Sequence, residues 1–165
     1  MALNQELSTV YNNFHNGGAP KEVSKVIIES TKELQSDFAG RKIIQKRLPD
    51  FKAKGVTLVA ITAQLPDTTL TTVEKHNLEF PVLSDVVNTF SKQLGLVHKQ
   101  PEGIQAFHKR VGVNYKKGYG NEDYEIPFPA TILVDAKGVV RNVFADPDIA
   151  KRLEPDNALE WANAL

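Results

Sequence analysis

The segment Glu125-Ile-Pro-Phe-Pro-Ala-Thr-Ile-Leu-Val-Asp135 constrains this chain more than any other. Two prolines control the entry into a short apolar strand, and the strand ends on a residue that favours turns. Asp135-Ala-Lys-Gly138 follows as the turn, and Val139-Val-Arg-Asn-Val-Phe144 returns as a second strand. A β-hairpin is therefore expected, its alternating apolar positions facing a core. The chain contains no cysteine, so disulfides, thiolate metal sites and thiol catalysis by its own side chains are excluded.

The 165 residues suit one domain with a sizeable core, and 41% hydrophobic with 24% charged residues indicates a globular class. Twenty basic residues balance twenty acidic ones. This charge balance offers no whole-protein field to attract nucleic acid or an anionic membrane, so neither partner is expected. No apolar run approaches the ~20 residues of a membrane helix. Met1-Ala-Leu-Asn-Gln-Glu-Leu7 lacks a basic region followed by an apolar stretch, so no signal peptide is expected and the cytosol is the default setting.

Residues 4–15 read as a short helix with Leu7, Val10, Tyr11 and Phe14 on one face. Pro20 suits the first turn of a second helix carrying Val23, Val26, Ile27, Leu34 and Phe38. The pattern continues through Ile44, Leu48 and Phe51, but rotated by about 60° at ~100° per residue, with Ile43 off the stripe. The slip falls at Ala39-Gly40-Arg41, and Pro49 should kink the later part or end its first turn. Val56-Thr-Leu-Val-Ala-Ile61 reads as a strand covered on both faces. A helix over 68–77 is expected, capped by Asp67 and closed by Asn77. Ser84-Asp85 opens another, with Val86, Val87, Phe90 and Leu94 inward and Gly95 ending it. A helix near Gly103–Val111, a loop at 116–121, a turn at Asp146-Pro-Asp148 and a last helix from Pro155 complete the chain. Helices, strand, helices, hairpin and helix argue for an α/β sandwich around one sheet.

From Lys42 onward the chain resembles the peroxiredoxins of the alkyl hydroperoxide reductase and thiol-specific antioxidant (AhpC/TSA) family, nearest their bacterial peroxiredoxin-like branch. Leu48-Pro-Asp-Phe-Lys-Ala-Lys-Gly-Val-Thr-Leu-Val-Ala-Ile-Thr62 is similar to the helix and strand that follow that family's active site. Gln64-Leu-Pro-Asp67, Phe80-Pro-Val-Leu-Ser-Asp85, Pro127-Phe-Pro-Ala-Thr-Ile-Leu-Val-Asp135 and Gly138-Val-Val-Arg141 are similar to its later landmarks, and residues 4–38 to the branch's N-terminal helices. The resemblance implies a thioredoxin-like three-layer sandwich and a family role in thiol-dependent peroxide reduction.

Against that pattern one block is missing. The branch carries a hairpin and a central strand before the helix resembling 43–51, the strand leading into Cys-x-x-Cys; here Phe38-Ala-Gly-Arg41 stands at that junction. The expectation is a single domain, with 1–41 as a helical extension and 42–165 as the remnant of the family core. Its sheet would lack the central strand. Such a slot must be closed, by direct pairing of the flanking strands, by a second chain's strand or at the cost of partial stability. Direct pairing needs the smallest change and is expected.

The resemblance also implies that Phe128-Pro129 carries a cis proline on the former active-site floor, with Thr131 and Thr62 as neighbouring landmarks. No catalytic residue, metal site or cofactor is expected. The histidines at 15, 76, 98 and 108 are scattered, and His108-Lys-Arg110 with Tyr115-Lys-Lys-Gly-Tyr119 reads as a solvated loop rather than a strand-binding surface. The functional expectation is a peroxiredoxin-like protein inactive toward peroxide. Two alternatives stand beside it: an interaction module pairing with itself or an intact peroxiredoxin through an exposed edge at Val56–Ile61, and a truncated or spliced form of a working enzyme.

Overall fold

A computed structural model describes residues 26–31 (backbone only), 44–146 and 151–165. Its sheet has five strands in the order β3-β2-β1-β6-β7. These are β1 (Val26–Thr31), β2 (Thr57–Thr62), β3 (Val82–Ser84), β6 (Ala130–Val134) and β7 (Val140–Ala145). β4 (Val97–Lys99) and β5 (Glu125–Pro127) form a separate antiparallel ribbon. The helices are α1 (Leu48–Ala53), α2 (Pro66–His76), α3 (Thr89–Gln93), α4 (Glu102–Arg110), α5 (Tyr115–Tyr119) and α6 (Pro155–Asn163).

The central slot is filled from within the chain. β1 runs parallel to β2 over Val26↔Thr57 to Thr31↔Thr62. It also runs antiparallel to β6 over Val26↔Val134 to Ser30↔Ala130. Two expectations are corrected here. The flanking strands do not pair directly, and Val26–Thr31 is a sheet strand rather than part of a helix over 20–38 or of a helical extension. The physical reason is twofold. Val26, Ile27, Ile28 and Thr31 are β-branched, which suits a pleated surface better than a helix interior. An open slot between β2 and β6 would also strand backbone donors and acceptors at about 1–3 kcal/mol for each buried group. β2 thus has neighbours on both sides, β1 and β3, so the exposed edge expected at Val56–Ile61 is closed.

The period of two along the strands distributes the core to both faces. Leu58 and Ala60 of β2 and Leu133 of β6 pack with Ile44, Leu48 and Phe51 around α1 and with Ala158, Leu159 and Ala162 of α6. Ala130, Ile132 and Val134 of β6 face the other way, against Leu94, Leu96 and Val140. Pro49 sits in the first turn of α1, where its missing N–H costs nothing, and the preceding helical turn breaks at Arg47. Arg47 ties the two helices on this face, pairing with Asp50 at 3.0 Å and with Asp156 of α6 at 2.6 Å.

Other elements depart from expectation in detail. α2 begins at Pro66, with Leu65 as its cap and Asp67 inside the first turn, and Asn77 closes it in the left-handed region at φ 49°. Val86 and Val87 are exposed rather than inward. The segment 115–119 is a helix rather than a loop, because Tyr115 and Tyr119 bury against Ala63, Tyr124 and Ile126. The helix near residue 4, His15, the seam at 39–41 and most of the turn at 146–148 lie outside the described residues.

The hairpin β6–β7 turns on one carboxylate. Asp135 Oδ1 accepts from the backbone N–H of Lys137 at 2.8 Å and of Val139 at 2.9 Å, and Oδ2 accepts from Arg141 Nε at 2.7 Å. Gly138 supplies the left-handed residue at φ 80°. Burial works to raise the Asp135 pKa, but the Val139, Arg141 and Lys137 donors together hold it below the ordinary value. A depressed folded-state pKa contributes stability that is complete above the unfolded value of about 3.9 and is lost as pH falls through the lower folded value. Asp135→Ala should cost about 1–3 kcal/mol in urea unfolding at neutral pH, and the difference from the parent should shrink on acidification below pH ~4. A pH-independent difference would assign the effect to something other than the ionised carboxylate.

Ile28 lies opposite Val59 on one side and Ile132 on the other. Ile28→Pro removes a donor from the middle of the sheet and should lower stability by about 3 kcal/mol or more. An unchanged urea midpoint would show that β1 does not occupy the central slot.

Candidate functional site

The parallel strands β1, β2 and β3 end together, and in an open α/β sheet this edge is where ligands bind. The register sets Thr31, Thr62 and Ser84 side by side across it. Thr62 is buried; its Oγ1 accepts from the Gln64 N–H at 3.3 Å, and its carbonyl accepts from the Asp85 N–H at 2.7 Å. The Thr69 hydroxyl from α2 bonds Ser84 Oγ at 2.8 Å and donates to the Gln64 carbonyl at 3.4 Å. Gln64 is itself buried, and its Oε1 has no hydrogen-bond partner among the described residues.

β6 approaches this edge from the opposite direction. Ala130 lies opposite Ser30, so Pro129 arrives beside the end of β1. Pro129 is fully buried. Thr131, two residues on and sharing its face, is buried opposite Glu29 and Phe144. Phe128 donates its N–H to the Leu96 carbonyl at 2.7 Å and stacks on His98, with ring centroids 4.1 Å apart and planes 3° from parallel. The landmarks are therefore brought to one end of the sheet, with β1 between Thr62 and Pro129.

The Phe128–Pro129 bond is trans, and no cis peptide occurs among the described residues, which corrects the expected cis proline. Pro129 immediately precedes β6, a position where a trans proline removes no ladder donor.

Asp85 is the carboxylate that follows β3, and sequence reasoning gave it only a local role at a helix start. It reaches across the 3₁₀ turn Val86–Asn88 instead. Its Oδ1 accepts from the Phe90 N–H and its Oδ2 from the Ser91 N–H, both at 2.8 Å. Two successive left-handed residues, Val87 at φ 55° and Asn88 at φ 58°, make this reach feasible. A β-branched residue there is strained by about 1–3 kcal/mol, and the Asn88 side chain helps hold the turn by donating to the Glu125 carbonyl at 2.9 Å. The Lys92 pKa is raised, first by its hydrogen bond to Glu125, which lies 2.7 Å away. No pattern in the sequence announces a cap that reaches five and six residues along the chain.

A second polar cluster, missed by sequence reasoning, lies under α4 and α5. The Tyr115 hydroxyl donates to Gln100 Oε1 and lies 3.1 Å from His108 Nδ1, with Tyr119 and Tyr124 packed on its ring. Burial of Tyr115 and Tyr119 removes the stacking surface that a nucleic-acid strand would need. No cluster of three or more His, Cys, Asp or Glu side chains suited to a metal occurs among the described residues.

Chemically, Thr62, Thr69 and Ser84 present hydroxyls bonded to one another or to backbone. A hydroxyl becomes a nucleophile only beside a base and an oxyanion site. The nearby carboxylate of Asp85 is occupied by two backbone donors.

A central strand running parallel to β2, a proline-led antiparallel hairpin and helices on both faces define the thioredoxin-like class. Solved structures agree on that fold. The bacterioferritin comigratory protein of Xanthomonas campestris matches over 87% of this chain and 81% of its own, at 14% identity and TM-score 0.64. Peroxidoxin BcpB of Mycobacterium tuberculosis matches over 86% and 79%, at 16% identity and TM-score 0.62. AhpC of the same organism matches over 87% and 70%, at 16% identity and TM-score 0.63. No curated protein sequence matches. The AhpC/TSA family model matches residues 41–143, and the chain belongs to that family as a peroxiredoxin-like member.

Replacing Asp85 with Ala should cost about 1–3 kcal/mol, because two backbone donors, one buried and one part-buried, lose their acceptor. Asp85→Asn should recover part of this, and urea unfolding of the two variants checks it. Equal stability of the parent and the Ala variant would remove Asp85 from its capping role.

Proposed function

We propose that this chain keeps the peroxiredoxin scaffold without peroxide-reducing activity of its own. The observation that carries the reading is the absence of any cysteine from the sequence. Peroxide reduction in a thiol-dependent family needs a thiolate, whose pKa of about 8.5 can be lowered by its surroundings to give a nucleophile at neutral pH. The hydroxyls at the sheet edge have no comparable route to ionisation. Family membership supports a cytosolic setting and an ancestry in thiol-dependent redox homeostasis, and a truncated or spliced form of a working enzyme is consistent with the same observation.

A second reading, a non-catalytic interaction module, takes support from a different place than the sequence suggested. β7 pairs only with β6 among the described residues, leaving one side of a six-residue strand open to a second copy or an intact peroxiredoxin homologue. Light scattering of the chain alone and mixed with a full-length homologue discriminates the two, since a strict monomer in both samples removes the module.

Peroxide consumption with dithiothreitol or thioredoxin as reductant should equal the blank without protein. Turnover above that blank defeats the inactive reading.

A further inference from the structure

We draw no further inference here: the strongest candidate, the surface patch of exposed apolar side chains Ile104, Phe107 and Val111 on and just after α4, is an apolar face for which nothing in the structure shows what covers it.

Discussion

The pairing of β1 on both of its sides is the constraint on which the rest of the sheet depends. β2 contributes a parallel ladder from Thr57 to Thr62, and β6 an antiparallel one from Ala130 to Val134. β2 leads into α2 and on to β3, whereas β6 is locked to β7 through the Asp135 turn. A six-residue strand between them satisfies both rows of backbone groups at once. This closes the interior of the sheet and, among the described residues, leaves edges only at β3 and β7. The edge at β3 is three residues long, too short to be an inviting template.

The same strand sets the character of the candidate site. Because β1 and β2 are in register to their last residues, Thr31 and Thr62 end level with each other, and Ser84 joins them through β3. A slip of one residue would exchange the faces of the whole strand. Pro129 reaches the same end through the antiparallel ladder with β6. The level ending of these strands is thus a consequence of register, and the hydroxyls of Thr62, Thr69 and Ser84 bond one another or the backbone.

The legible and illegible parts of this chain divide along physical lines. β2, the 130–145 hairpin, the break at Pro49 and the left-handed close at Asn77 were readable because local chemistry and tertiary context agree there. β1 was not. Val23, Val26 and Ile27 have the spacing of a helix face, while Val26-Ile-Ile28 has the branching of a strand, and only the slot between two distant segments decides. Lys116-Lys-Gly-Tyr-Gly120 has the composition of a loop, yet burial of two tyrosines pulls it into a helix that Gly120 ends at φ 81°. At the candidate site, the missing thiol was plain from composition. The Asp85 cap and the Thr69–Ser84 bond were hidden, because both depend on a turn whose two left-handed residues, Val87 and Asn88, carry no glycine to signal it.

The contacts that stabilise this scaffold are independent of any thiol, since the sequence has none. The two main core clusters are apolar, and the Asp135 turn and the Asp85 cap are carboxylates bound to backbone N–H groups. Reactive sites commonly cost stability, since they hold polar groups ready for a substrate instead of satisfied by the fold. Here Thr62, Thr69 and Ser84 hydrogen-bond one another or the backbone. Gln64 Oε1 is the remaining unpartnered group of that cluster among the described residues, at about 1–3 kcal/mol.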